Sequence, residues 1–190
     1  MAQTVSNVSV GKPGASGGVY VAPLGSTLPT DSSTALASAY VSLGYVSEDG
    51  VNNSNSPSTD TGKAWGGDIV ITYQTEKPDT FQFTLIESLN KDVLSAVYGS
   101  THVTGSALTS GLTVTATSDE AEAKVWVIEV VMRDNTYKRI VIPNGKIIEV
   151  GDIVYKDDEI VGYDVTIQAF PDSTIGGSHK EYIKKIVASS

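Results

Sequence analysis

Apolar and polar residues alternate strictly in two neighbouring segments of the chain, residues 68–75 (DIVITYQT) and residues 80–86 (TFQFTLI). A period of two is typical of a β-strand with one buried face. Because only Glu76 and the turn-forming Lys77-Pro78-Asp79 separate the two segments, we predict that they form an antiparallel hairpin. The expected buried face of this hairpin consists of six residues: Ile69, Ile71, Tyr73, Phe81, Phe83 and Leu85.

One helix is predicted, over residues 88–98. Its apolar residues recur at spacings of three and four, Ser88 is placed to cap its start, and Gly99 follows its end. We expect Leu94 and Val97, on the apolar stripe of this helix, to contact the buried face of the hairpin.

The remaining patterns predict further strands. They lie at residues 19–22, 40–46, 112–117, 124–133, 137–142, 146–156 and 159–170, with 179–190 as a strand or a short helix. The segments cluster as hairpins around turns such as Asp134-Asn135, and not as βαβ units. The predicted fold class is therefore mainly β: an antiparallel β-sandwich or barrel with one flanking α-helix.

Two segments are predicted to be irregular parts of a single domain, residues 1–190. The first is a flexible N-terminal arm, residues 1–18, which includes the glycine-rich stretch GKPGASGG. The second is a long loop, residues 48–67, which has few apolar residues. A long polar loop in a compact domain usually binds a partner or is disordered. We expect both segments to become ordered on assembly.

The two tryptophans are given different roles. Trp126 alternates with Ile128 and Val130 in a predicted strand, so we expect it in the core. Trp65 stands beside two glycines at the end of the long loop, and we expect it to anchor the return of that loop.

Composition excludes several classes of function. The 190 residues include 13 Lys+Arg and 22 Asp+Glu, a net charge of −9. This balance argues against a binder of nucleic-acid phosphates or of anionic membranes. The absence of cysteine excludes disulfides and thiolate zinc sites. Because no signal peptide or membrane-length apolar run is present, we expect a cytoplasmic origin and no membrane insertion.

Catalytic and metal-binding motifs are not found in the sequence. The only histidines, His102 and His179, lie far apart, and we expect both on the surface. Acidic groups at Glu48-Asp49, Asp119-Glu120 and residues 157–159 are expected to occupy turns and solvent-facing positions. We therefore predict no enzyme activity, no catalytic residues, no cofactor and no metal.

Two functions are considered from these residues. Trp65 and the acidic groups could serve a carbohydrate-binding or adhesin-like β-sandwich module. A glycosidase would need a pair of carboxylates, for which only the acidic groups are available.

The order of several short motifs resembles that of the major tail tube proteins of long-tailed, non-contractile bacteriophages. Gly-Lys-Pro from Gly11 precedes Tyr-Val-Ala-Pro-Leu-Gly from Tyr20 and Leu-Pro-Thr-Asp from Leu28. Leu-Gly-Tyr-Val-Ser-Glu-Asp-Gly follows from Leu43, and residues 142–173 are similar to the C-terminal half of the family. The resemblance spans most of the chain and depends on this order, since no single motif is unique.

The resemblance implies a structural virion protein of the phage tail. Such proteins form hexameric rings whose sheets close into an inner barrel, and a long loop reaches the neighbouring ring. The stacked rings form a tube that delivers DNA to the host cell. The implied partners are further copies of the chain, the tape measure protein, the tail terminator and the distal tail protein, with DNA passing through without specific binding. Some relatives append an immunoglobulin-like domain, which we do not expect here because the chain ends soon after the tube signature.

The binding module considered above is kept as the alternative, and it would then belong to a phage fibre. Electron micrographs separate the two functions, because a tube-forming protein gives rings or tubes and a binding module gives discrete monomers.

Two contact surfaces follow from the resemblance and from the polarity of the strands. Neutral hydrogen-bonding side chains cannot hold phosphate as lysine does, so polar strand faces without lysine are expected to line the lumen. The predicted lumen-facing residues are Gln74, Gln82, Asp164 and Gln168. The predicted inter-ring contact residues of the long loop are Glu48, Asp49, Asn52, Asn53, Asp60, Lys63 and Trp65.

Overall fold

The computed structural model describes residues 3–14 and 17–186. The strands in this part of the chain are β1 (Gly11–Pro13), β2 (Val19–Pro23), β3 (Val41–Ser42), β4 (Asn52–Ser54), β5 (Ser58–Lys63), β6 (Ile69–Glu76), β7 (Asp79–Leu85), β8 (Val103–Thr104), β9 (Thr113–Val114), β10 (Lys124–Met132), β11 (Thr136–Val150), β12 (Tyr163–Ala169) and β13 (Lys180–Lys185). One α-helix, α1 (Lys91–Tyr98), follows β7. The predicted mainly β, antiparallel fold with one helix is confirmed.

The long strand β11 joins two halves of one antiparallel sheet. Its first half pairs with β10 and with β13, and β2, β3 and β1 continue the sheet from β10. Its second half pairs with β12, after which come β7 and β4. The main core lies between these two halves and α1, which gives the molecule its sandwich architecture.

A bulge in β11 allows the strand to serve both halves. Trp126 pairs with Ile142 and Lys124 with Gly145, so one residue is extra on the β11 side. The buried indole of Trp126 donates a hydrogen bond to the Gly145 carbonyl at 3.0 Å. A Cβ at position 145 would lie 2.6 Å from Cδ1 of Trp126, so only glycine fits there. The predicted core position of Trp126 is confirmed.

Strict alternation places one face of β7 and of β12 in the core. The buried residues on these strands are Phe81, Phe83 and Leu85, together with Tyr163, Val165, Ile167 and Ala169. Leu94 and the half-buried Val97 of α1 pack into the same cluster, as predicted. The helix begins later than predicted, because the Asn90 side chain, and not Ser88, accepts the capping hydrogen bond from the Asp92 amide.

A second apolar layer covers the other face of β2 and β10. The loop between β2 and β3 packs Leu28, Leu36 and Tyr40 there. Buried Arg139 holds this loop by donating to the carbonyl oxygens of Asp31 and Thr34, each at 2.8 Å, and it also forms an ion pair with Glu129. Hydrogen bonds from Thr34 and Ser33 hold the pKa of the Asp31 carboxyl well below its usual range.

The predicted hairpin of residues 68–86 is wrong. β6 pairs with β5 in a separate two-stranded sheet, whereas β7 pairs with β12 and β4. The side chains of Ile69 and Ile71 are consequently 61% and 57% exposed, and Tyr73 is exposed as well. A period of two identifies a strand with an apolar face, but it does not identify the partner strand or the molecule that covers the face.

The segments predicted to be irregular contain strands. The long loop, residues 48–67, includes β4 and β5, and the N-terminal arm includes β1, which pairs with the C-terminal part of β10. Residues 1, 2, 15 and 16 of that arm lie outside the described residues. Several predicted strands differ in extent. The segments 40–46 and 112–117 form only short strands. The segments 137–142 and 146–156 belong to one strand, β11, which ends at Val150, and the segment 159–170 forms a strand only from Tyr163.

Other turns agree with the sequence. Asp134 and Asn135 both have positive φ, 56° and 57°, and connect β10 to β11 as the sequence predicts. The C-terminal segment contains β13, which pairs with the first half of β11, although residues 187–190 lie outside the described residues.

The different surroundings of Phe83 and Ile71 give a stability test. Phe83→Ala removes a side chain that is 2% exposed and is expected to lower the free energy of unfolding by about 3–5 kcal/mol. Ile71→Ala on the exposed β6 is expected to change it by less than about 0.5 kcal/mol in the unassembled subunit. Urea unfolding of dilute protein measures both values, and equal losses in the two variants would contradict this assignment of core and surface.

Candidate assembly surfaces

A continuous polar face covers one half of the sheet. Cross-strand partners lie on the same side of a sheet, so the registers of β4, β7, β12 and the second half of β11 define this face. Its members are Asn52, Ser54, Thr80, Gln82, Thr84, Asp164, Thr166, Gln168, Lys146 and Glu149. The opposite face of β7 and β12 is the buried core. We call this surface the polar face.

Three of the four residues predicted to face the lumen lie together on the polar face. The Gln82 side chain donates to Asp164 Oδ2 at 3.0 Å, and Gln168 lies further along β12. Gln74 is not part of this group, because it lies on β6 opposite Thr59 in the separate hairpin.

The polar face contains one lysine, contrary to the expectation that it has none. Lys146 on β11 lies opposite Gln168 and forms an ion pair with Glu120. This contact holds the pKa of the Glu120 carboxyl below its usual value. The charge of Lys146 is therefore matched by an adjacent carboxylate. The sequence pattern missed this pair because its partners come from segments 26 residues apart.

The hairpin of β5 and β6 forms an exposed arm, which we call the β5–β6 arm. Nearly every side chain along both of its strands is exposed, and Trp65 in its terminal turn is fully exposed. The predicted role of Trp65 as an anchor of the loop is therefore wrong. The turn itself is closed by backbone hydrogen bonds, from Ala64 N to Asp68 O and from Gly67 N to Ala64 O.

One side of the β5–β6 arm is apolar. Ile69, Ile71 and Tyr73 lie on this side, and Gly62 of β5 stands opposite Ile71, where a Cβ would lie 2.7 Å from the Ile71 side chain. A two-stranded hairpin is only marginally stable by itself in water. Exposed apolar surface of this kind marks a contact site for another molecule.

The seven residues predicted for the inter-ring contact do not form one cluster. Two groups lie at opposite ends of the sheet, and a third lies between them. Asp60, Lys63 and Trp65 belong to the β5–β6 arm. Glu48 and Asp49 lie in a turn beside the last residues of β7, where the Ser47 amide donates to Thr84 O. Asn52 and Asn53 lie on β4, between these two groups.

A buried carboxylate fixes the base of the β5–β6 arm. Asp79, 3% exposed at the start of β7, accepts a hydrogen bond from Asn53 Nδ2 at 2.9 Å and contacts His179 Nδ1 at 2.5 Å. The His179 ring packs edge-on against Phe81. These contacts join β4, β7 and the segment before β13. The predicted surface position of His179 is wrong, and the sequence held no signal for this pairing across 100 residues.

The other histidine, His102, is also half-buried and not on the surface as predicted. Its Nε2 lies 3.1 Å from Asp119, and its Nδ1 contacts the Tyr98 carbonyl at the end of α1. Within residues 3–14 and 17–186, no group of three or more His, Asp or Glu side chains is arranged to hold a metal ion. The same residues include no helix that is long and apolar enough to cross a membrane.

A β-sandwich that exposes an apolar hairpin and unpaired strand edges is typical of a structural protein that associates through its strands. A family model described as phage tail tube protein matches residues 4–185, and the chain belongs to this family. A comparison with curated proteins gave no match. The protein is thus a structural component of a phage tail, and its family implies self-assembly into a tube, a place in the virion and a non-enzymatic role.

The contacts of Asn53 predict its contribution to stability. Asn53→Ala removes a hydrogen bond to the buried Asp79 carboxylate and is expected to destabilise the subunit by about 1–2 kcal/mol. Asn52→Ala, one residue away on the polar face, is the matched control and is expected to change stability by less than about 0.5 kcal/mol. Thermal and urea unfolding of the two variants provide the measurement. Indistinguishable variants would show that Asn53 does not hold the base of the arm.

Proposed function

We propose that the chain forms hexameric rings that stack into the phage tail tube, the conduit through which DNA reaches the host cell. The observation that carries this proposal is the polar face, which lies on a sheet with two open edges. Residues 146–150 of β11 pair with β12, β4 pairs with β7, and no other strand of the described chain pairs with the outer side of either.

Open edges favour association between copies of the chain. An unpaired strand edge is a template for pairing with another chain. If the β4 edge of one copy meets the β11 edge of the next, the contact is heterologous and closes into a ring. Six four-stranded half-sheets would then form a barrel of 24 strands. At the usual spacing and tilt of strands, its backbone diameter would be roughly 45 Å, wide enough for a DNA duplex.

The position of the core supports an arrangement in which the polar face of such a barrel points inward. Each half-sheet is covered on its apolar face by its own α1 and by the other half of the sandwich. This bulk can be accommodated only on the outside of a closed ring, which leaves the polar face toward the lumen. Neutral amides and hydroxyls remain hydrated beside DNA, and the Lys146–Glu120 pair leaves no unmatched cation from Lys146 to retain phosphate.

The β5–β6 arm supports stacking of one ring on the next. Its strand β6 spans about 26 Å at the usual rise per residue, far enough to reach beyond its own subunit. Its apolar side and Trp65 lie in solvent in the isolated chain and would be buried in a contact between rings. Assembly in the host cytoplasm, and contacts with the tape measure, tail terminator and distal tail proteins, belong to the same proposal through the family.

Assembly of the purified protein tests the proposal. At high concentration, the wild type is expected to form rings and tubes in negative-stain electron micrographs. Replacing residues 62–71 by a two-residue Asn-Gly turn joins the paired Thr61 and Thr72, shortens the β5–β6 arm and keeps β4 in place. This variant is expected to give folded subunits that do not stack. Leu108→Ala, at an exposed apolar position away from the arm, is the control and is expected to assemble normally.

Two outcomes would contradict the proposal. Discrete wild-type monomers at every concentration would favour a carbohydrate-binding module, for which Trp65 would offer the stacking surface. Normal tubes from the shortened variant would show that the arm does not join rings.

Lysine substitutions test the lumen. Asp164→Lys together with Gln168→Lys places two cations on the polar face and is expected to permit assembly but to slow DNA ejection from phage, most strongly at low salt. Asp92→Lys on the exposed side of α1, which packs on the opposite face of the sheet, combined with Gln3→Lys makes the same change of charge and is expected to eject DNA normally. Ejection rates followed by release of a DNA-binding dye provide the measurement, and equal rates in both variants would overturn the assignment of the lumen.

A further inference from the structure

We propose that the tip of the β5–β6 arm docks on the connection between β11 and β12, residues 151–162, of a subunit in the adjacent ring. This inference depends on the proposed stacking and specifies its partner surface. It rests on the placement of the two segments, on their exposed apolar side chains and on their charges.

The two segments lie at opposite ends of the same half-sheet. The β5–β6 arm leaves the sheet where Ser54 of β4 faces Thr80 and returns at Asp79, which pairs with Ala169. Residues 151–162 leave from Val150 and return at Tyr163, which pairs with Leu85. The seven residues of β7 therefore separate the two segments by about 20 Å. Subunits stacked in the same orientation bring the arm of one toward residues 151–162 of the next.

Both segments expose apolar side chains that their own subunit does not cover. In the β5–β6 arm these include Trp65 and Ile69, and in residues 151–162 they include Val154, Tyr155 and Ile160. Tyr155 and Ile160 are 75% and 71% exposed. An aromatic residue surrounded by apolar neighbours is the usual centre of a stable protein contact.

One cation at the tip of the arm can pair with the acidic residues of the other segment. Residues 58–76 carry three carboxylates, Asp60, Asp68 and Glu76, and a single basic residue, Lys63, which stands two residues from Trp65. The attraction is therefore local to Lys63. Residues 151–162 carry four carboxylates and one lysine, and that lysine, Lys156, pairs with Glu159 at 2.6 Å. Glu48 and Asp49 add two more carboxylates at the same end of the sheet. The end opposite the arm is therefore acidic.

Head-to-tail docking of this kind suits a tube. Because donor and acceptor lie at opposite ends, the contact is heterologous, and each ring keeps one set of free arms and one set of free acceptors. Such a contact propagates without closing on itself. The residues predicted for the inter-ring contact lie on both sides of this docking. Lys63 and Trp65 belong to the donor arm, and Glu48 and Asp49 belong to the acceptor end.

Cross-linking between copies tests the docking, and the cysteine-free chain makes it specific. Ala64→Cys places a thiol beside Trp65 and is combined in three separate double variants with Val154→Cys, Asp158→Cys or Ile160→Cys. Tubes of each variant are treated with a short bismaleimide and separated on denaturing gels. At least one double variant is expected to give a ladder of multimers, and mixing the corresponding single variants is expected to give dimers only.

The control variant combines Ala64→Cys with Thr174→Cys. Thr174 lies at the same end of the sheet as the arm, so the docking predicts no ladder of multimers from this pair. The docking would be overturned if the wild type forms tubes but a ladder of multimers appears only for the Thr174→Cys pair, or for none of the cysteine pairs. The proposed tube would remain intact in that case. Failure of the wild type to form tubes or rings would overturn the proposed function and the docking with it.

A charge exchange provides a second measurement. Lys63→Glu is expected to raise the critical concentration for tube formation several-fold at low salt, with a smaller effect at high salt. Adding Asp158→Lys to this variant is expected to restore assembly, because the exchange recreates the attraction with opposite signs. Loss of assembly in the single variant without recovery in the double variant would place Lys63 against a different surface.

Discussion

The junction of Trp126 with the β11 bulge is the contact on which the rest of the structure depends. The indole N–H of Trp126 donates a hydrogen bond to the Gly145 carbonyl inside the core. Because Gly145 has no Cβ, the indole ring can pack directly against β11. At this point β11 leaves β10 and takes β12 as its partner. One strand thereby belongs to both halves of the sandwich, and a substitution at Gly145 would disturb the core and the polar face together.

The second half of the sheet combines a buried face, a polar face and two open edges. A monomeric protein would gain little from unpaired edges, which favour aggregation. The chain belongs to the phage tail tube family. In the arrangement that we propose, these edges pair between subunits and the polar side faces the interior of the tube. The net charge of −9 and the matched Lys146 agree with a wall that does not retain DNA. In the same proposal, the β5–β6 arm supplies the contact along the tube axis.

Much of the fold could be predicted from the sequence. The period of two over residues 80–86 correctly places Phe81, Phe83 and Leu85 in the core, and Asp134-Asn135 correctly marks the turn between β10 and β11. The same period predicted that the second side of β7 and of β12 is polar. The structure confirms this, because Gln82, Asp164 and Gln168 lie on one polar face of the sheet. The contact between Asp79 and His179 could not be predicted, because it joins residues 100 positions apart by hydrogen bonds that leave no periodic pattern.

The sequence by itself determined the strands that have one apolar side, such as β6, β7 and β12, and which side that is, because both follow from local alternation. It did not determine β1, β4 and β5, which lie in segments without such alternation. Only the tertiary structure decided how those strands pair and what covers them. Residues 68–75 illustrate the difference, since β6 has the apolar face that was predicted but pairs with β5 and leaves that face in solvent. The free energy of burying Ile69 and Ile71 is available from any apolar surface, including that of a second subunit, and the one-dimensional pattern does not distinguish between them.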